Sequence, residues 1–132
     1  MTIGGIKLEL EQLTITLLHL VEEWKERYES NEKPENKRDP AFFNFVKEET
    51  AKPFEIIEEW GSKALLFVKN KEVSVHPQQI ESTQDNLRLV LLHSYYIDAR
   101  QRRYMNLHNS IKYVAEQLLK DIDKLKNGVS KE

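Results

Sequence analysis

The sequence predicts an all-α protein: an antiparallel up-and-down bundle of four helices forming a single domain over residues 1–132. Three observations predict it. Apolar residues recur at alternating spacings of three and four along four successive stretches, which stacks each set on one helix face. The composition, 39% hydrophobic and 32% charged, is too apolar for disorder and as charge-rich as amphipathic helices are. A chain of 132 residues is the size of one domain with one core. Helices of similar length joined by short or moderate loops pack most simply as antiparallel neighbours.

The first stripe is Ile6, Leu10, Leu13, Leu17, Leu20, Trp24 and Tyr28. It gives way to the polar, aperiodic segment Ser30 to Arg38, read as an exposed loop over about 30–39. Asp39-Pro40 then starts helix two: the carboxylate accepts orphan backbone N–H groups, and proline at the first helical position forfeits no bond. Phe43, Val46, Thr50, Pro53, Ile57, Trp60, Ala64 and Phe67 form its stripe. Pro53 cannot donate to the carbonyl four residues back, so helix two is expected to kink or split near Thr50 to Pro53. Lys69 and Asn70 suit a helix end.

His76-Pro77-Gln78-Gln79 opens helix three, with Gln79 placed to reach back to the N–H of the cap residue. Its seam is Ile80, Thr83, Leu87, Val90, Ser94 and Ile97. Tyr104, Leu107, Ile111, Val114, Leu118, Ile122 and Leu125 form the fourth seam, which stops at Lys124, Lys126, Asn127 and Gly128 before a flexible tail over about 127–132. No glycine or proline separates the last two helices, yet one helix from Pro77 to Gly128 would be roughly 75 Å long and could not pack in a compact domain. A turn is therefore required, and the most polar window, Asp98 to Arg103, is where it is expected. Trp24, Trp60, Phe67, Leu91 and Leu118 are expected to be the most buried residues.

Charge and composition exclude several function classes. Twenty basic against 22 acidic residues leave a net charge of −2, so no global field recruits nucleic acid or anionic lipid. The chain has no cysteine, which removes disulfides, thiolate nucleophiles and thiolate metal sites and fits a reducing compartment. Uninterrupted apolar runs reach only a few residues, far short of the roughly 18 of a membrane span. Met1 to Gly5 lacks the basic-then-apolar pattern of a secretory signal, so cytoplasmic residence is the expectation.

The pattern carried by Phe42-Phe43, Trp60 with Ala64-Leu65, Val75-His76 with Gln79-Ile80, Asp85-Asn86, Leu91, Ser94-Tyr95, Arg103-Tyr104, Ser110 and Tyr113 resembles the YppE-like family. These are small uncharacterised proteins of low-GC Gram-positive bacteria, known as four-helix bundles. The resemblance spans most of Phe42 to Leu119. It rests on scattered positions without a catalytic signature, so it implies the fold and no activity.

No catalytic, cofactor-binding or metal-ligating set stands out. Helical bundles that hold two irons use glutamates and Glu-x-x-His pairs, but none of His19, His76, His93 and His108 follows a glutamate by three residues. His19 with Glu23 offers at most two ligands, and the plainer reading is a solvated pair. His93 and His108 flank the seams and are expected to keep a polar edge in water. Gly4, Gly5, Gly61 and Gly128 form neither a phosphate-cradling loop nor a nucleophile elbow. Glu55, Glu58 and Glu59 read as a solvated face.

Two constellations remain. Arg100, Arg102, Arg103 and Lys112 lie near Tyr95, Tyr96 and Tyr104 in sequence, a basic and aromatic group of the kind that holds phosphate or stacks a base; the plainer reading pairs these cations with neighbouring acids and the last carbonyls of helix three. A polar insert puts Thr83 on a seam with Asp85 and Asn86 beside it. A buried member of that insert needs a partner, such as the indole of Trp60 or the hydroxyl of Tyr113, either as a contact fixing helix register or as one wall of a half-polar ligand pocket. The leading expectation is a non-enzymatic cytoplasmic bundle that binds an unidentified protein, or itself, through a strip such as Tyr95, Tyr96 and Tyr104. The alternatives are a nucleic-acid-associated accessory protein using Arg100 to Arg103 and a small-ligand-binding bundle using the insert.

Overall fold

A computed structural model of the chain describes residues 3–69 and 72–128. It contains four helices: α1 (Ile3–Ser30), α2 (Pro40–Lys69), α3 (Pro77–Tyr96) and α4 (Gln101–Gly128). Asn70 and the tail from Val129 onward lie outside the described residues, as does the side chain of Ile6.

Cross-helix contacts fix the directions. On α1 and α2, Thr14 meets Trp60 while the earlier Glu9 meets the later Lys63. Phe42 and Phe45 at the start of α2 meet Tyr96 and Tyr95 at the end of α3. Tyr28, late in α1, stacks on Tyr104, early in α4, and Lys126 near the end of α4 returns to Glu11. Sequence neighbours therefore run antiparallel, and α4 closes onto α1. The square is sheared: α1 also packs against α3 across the diagonal, whereas no described residues of α2 and α4 bring their Cα atoms within 8 Å. A helix buried on three sides needs no sharp apolar stripe, and α3 segregates its apolar residues least of the four.

The core holds most of what the stripes imply, although Leu13 and Leu20 are only partly buried and Thr14 and Val21 take the interior positions beside them. Trp24, Trp60, Phe67, Leu91 and Leu118 are all buried, beside Leu10, Ile57, Ile80, Leu87, Ile111 and Ile122. Phe43, the first member of the second stripe, is exposed instead, and Val46 begins the buried run of α2. At Pro53 the helix neither ends nor restarts: α2 is one unbroken helix, with buried residues before the proline, Val46 and Thr50, and after it, Ile57, Trp60 and Ala64. Packing on both sides of the missing hydrogen bond outweighs the local defect.

The α3–α4 turn is tighter and earlier than the window Asp98 to Arg103. It occupies Ile97 to Arg100, and Gln101, Arg102 and Arg103 already belong to α4. The chain reverses at Ile97, which takes the left-handed conformation (φ 51°, ψ 42°) and donates its N–H to His93 O at 2.8 Å. A β-branched residue pays for that conformation with roughly 1–2 kcal/mol, and two tethers hold the turn: His93 Nδ1 lies 2.6 Å from Asp98 Oδ1, and Tyr28 Oη donates to the carbonyl of Ala99. At the other end, His76 caps α3 through its backbone, its N–H donating to Gln79 Oε1 at 2.9 Å. Asp121 of α4 accepts the N–H groups of Ser74 and Val75 at 3.1 to 3.2 Å and the Ser74 hydroxyl at 2.9 Å, which fastens the α2–α3 connection to the bundle.

Candidate functional site

The antiparallel arrangement gathers the end of α1, the start of α2 and the end of α3 at one pole of the bundle. There Arg27, Phe42, Phe45, Glu49 and Tyr95, with Asn31, Glu32 and Pro34 of the exposed loop, line an open cleft of about 340 Å³. Its aromatic wall is a chain of ring contacts: Phe42 edge-on to Tyr96 at 5.3 Å between centroids, Phe45 edge-on to Tyr95 at 6.1 Å, and Phe42 tilted by 35° against Phe45 at 6.3 Å. Arg27 is fixed between its neighbours, its guanidinium 3.9 Å above the Tyr95 ring and donating to Ser94 Oγ at 2.9 and 3.1 Å. Burial raises the hydroxyl pKa of Tyr95, with the Arg27 charge pulling the other way and Glu49 adding to the rise. Phe43 and Phe45 stand 55% and 49% exposed at this pole.

The expected tyrosine strip is therefore only partly present. Tyr95 and Tyr96 are half-buried and reach this pole, but Tyr104 is 0% exposed, stacked face to face on Tyr28 at 4.0 Å. Its position on the fourth seam decides its burial, which raises its hydroxyl pKa and leaves Oη without a partner. Arg100, Arg102 and Arg103 are exposed and make no ion pair among the described residues, so the acids expected to neutralise them do not do so. Lys112 instead turns toward α1, 3.3 Å from Glu22. With Tyr104 sealed in the core, its ring is not available to stack a base beside these arginines.

The polar insert also resolves differently. Trp60 Nε1 donates to Thr14 Oγ1 at 2.9 Å, and Thr14 passes its own proton to Leu10 O at 2.7 Å, so the indole's partner comes from α1 and not from the insert or Tyr113. Tyr113 is 60% exposed, and Asp85 lies at the surface, 3.0 Å from Arg88. Thr83 is buried as expected, and Asn86 is half-buried. Together with His76, Gln78, Gln79 and Ser82 of the same stretch, and Ser110 and Val114 across on α4, they line an open groove of about 460 Å³. The insert thus forms one wall of a half-polar groove, in place of the Trp60 contact.

Sequence reasoning overlooked Thr14, Arg27, Phe45 and Asp121. Thr14 had a signal, since a polar residue four after Leu10 sits on the first seam just as Thr83 sits on the third. Asp121, three residues after Leu118, repeats it on the fourth. His108 departs from expectation outright. It is 2% exposed, with Nε2 3.4 Å from Glu22 Oε1 and Nδ1 without a partner. Desolvation lowers its pKa against the opposing pull of Glu22, with Lys112 and Lys25 reinforcing the fall, so the neutral ring donating from Nε2 is the favoured form. For Glu22 desolvation pushes the pKa up, but the Lys112 hydrogen bond and the charges of His108, Lys112 and Lys25 outweigh it and leave the carboxyl below its ordinary value. Among the described residues no three His, Asp or Glu side chains gather closely enough to hold a metal ion, and no helix is long and apolar enough to cross a membrane.

Residues 14–122, which include both the cleft and the groove, match the model of a bacterial domain of unknown function, DUF1798. The chain belongs to this family. Family membership brings no activity with it, and no curated protein matches the sequence. Among solved structures the chain is similar to YppE from Bacillus subtilis, in crystals (TM-score 0.79, 23% identity, covering 90% of this chain and 96% of that one). It is likewise similar to the solution structure of the same protein (0.72, 21%, 88% and 94%). A protein of unknown function from Listeria innocua is similar too (0.74, 19%, 92% and 97%). At these identities the likeness establishes the DUF1798 chain's fold alone, an all-α four-helix bundle, and leaves its sites to be read from its own residues.

Proposed function

We propose that this domain is a non-enzymatic binding module that engages another protein at the aromatic pole, and that it works in the cytoplasm. The observation that carries the reading is the cleft itself. Aromatic residues and an arginine line a concavity at whose pole Phe43 and Phe45 remain half exposed, the combination that dominates interface cores and hot spots. Arg27 is already ordered by Tyr95 and Ser94, so a partner segment docking an apolar anchor against Phe42 and Phe45 would meet a wall that needs little further immobilisation. Glu32 and Glu49 share the cleft with Arg27, which favours an occupant carrying polar groups around its apolar anchor, as a protein segment does. The absence of cysteine is in keeping with the reducing compartment.

A photo-crosslinking residue placed at Phe43, with a control at Leu66 near the far end of α2 and equally exposed, tests the reading in the source cell. Adducts with another protein at the Phe43 position alone, lost in a Phe45→Ser/Tyr95→Ala variant that still folds, are the expected result. An adduct of twice the chain's mass would replace the foreign partner with a second copy. Equal labelling at both positions, or at neither, would sink the proposal.

A further inference from the structure

We propose that the groove between α3 and α4 is a separate binding site for an uncharged, hydroxyl-rich small molecule of monosaccharide to disaccharide size. The argument begins with the buried hydroxyls. In a helix, a serine or threonine facing the core ordinarily satisfies itself by bonding a carbonyl one turn back, and Thr14, Thr50 and Ser94 all do so, to Leu10 O, Val46 O and Leu91 O at 2.6 to 2.8 Å. Thr83 is equally buried, at 2% exposure, yet its hydroxyl makes no hydrogen bond among the described residues. Among the described residues the partnerless side-chain polar atoms fully shut off from solvent are Tyr104 Oη and His108 Nδ1; the Thr83 hydroxyl is not one of them, and Thr83 lines the groove, which leaves that oxygen within a ligand's reach.

The walls around it define the ligand's chemistry. Gln78, Gln79, Ser82, Asn86 and Ser110 present carboxamides and hydroxyls that both donate and accept, as the alcohols of a sugar or polyol do. His76 is the one ionisable residue of the lining and no Lys, Arg, Asp or Glu stands there, so a charged ligand gains no fixed counter-charge for the hydration it loses. Val114 is the one aliphatic residue of the lining, too little for the side-chain pockets that hold a peptide, and no Phe, Tyr or Trp lies inside to sandwich a base. Tyr113, three residues beyond Ser110 on α4 and 60% exposed, supplies an aromatic face on the adjoining strip. The volume of about 460 Å³ lies within the range of small-molecule sites.

Amide chemical shifts of the ¹⁵N-labelled protein, followed while glucose, N-acetylglucosamine, sorbitol, maltotriose or glucose 6-phosphate is added, test this. The expected result is saturable shifts confined to Gln79 to Asn86 and Ser110 to Val114 with at least one neutral probe, and weaker binding of glucose 6-phosphate than of glucose. Tighter binding of maltotriose than of glucose would identify a glycan chain as the source, and the reverse a free sugar; both support the site. Thr83→Val, nearly isosteric, should keep the fold and weaken binding about fivefold, the worth of one hydrogen bond. Shifts that never saturate, that scatter over the molecule, or that favour the phosphate would overturn the proposal. So would undiminished affinity in Thr83→Val.

Discussion

Thr14 and Tyr104 bury hydroxyls in the same core with opposite outcomes. Thr14 relays a hydrogen bond from the Trp60 indole to the Leu10 carbonyl, whereas Tyr104 keeps its ring stack and leaves its oxygen unpaired. Replacing Thr14 with valine retains shape but strands the indole N–H, so Thr14→Val should cost about 1–3 kcal/mol, seen as a lower urea midpoint with an unchanged denaturant slope. At this scale the sequence was legible in kind and not in pairing. A polar residue on an apolar seam announces that it needs a partner, and Thr83 and Thr14 carry that signal equally. Which helix supplies the partner depends on how the helices are arranged, and a stripe carries no record of that. The burial of His108 escaped for the same reason: it flanks the fourth seam, and only the closure of α1 over α4 makes that flank interior.

Element boundaries separate into those written in local chemistry and those imposed by packing. The start of α2 at Pro40 and of α3 at Pro77 are written locally, in a proline at the first helical position preceded by Asp39 or His76. The α3–α4 turn is not, because Ile97 takes a conformation that its residue type disfavours and that the Tyr28 and Asp98 contacts hold in place. Pro53 is a third case, where the local signal is real but the helix does not split. Because α2 continues through it, the helix lacks one backbone hydrogen bond at that turn. Pro53→Ala should restore it and stabilise the protein by about 1–3 kcal/mol, raising the melting temperature by several degrees in a calorimetric scan. An unchanged melting temperature would mean that the turn has already compensated for the missing donor.

For the molecule as a whole, the buried ring between α1 and α4 makes stability depend on pH. His108 is held neutral in the fold, its pKa below the ordinary 6.5 that it regains on unfolding. Above both values the two states carry the same charge and His108 contributes no slope. Between them the unfolded chain binds the extra proton, so stability falls as the pH drops below about 6.5, by at most about 1.4 kcal/mol per pH unit. Urea titrations from pH 8 to 5 should show that decline in the wild type and a flatter one in His108→Gln, whose other three histidines are unchanged. The sheared arrangement has a different consequence. The aromatic cleft is built from α1, α2 and α3, the polar groove from α3 and α4, and the Cα atoms of the two outer helices stay more than 8 Å apart among the described residues. Ser94 and Tyr95 border the first site and Ser82, Thr83 and Asn86 the second, about two turns apart on one rod. Among the described residues α3 is thus the one helix that lines both the cleft and the groove.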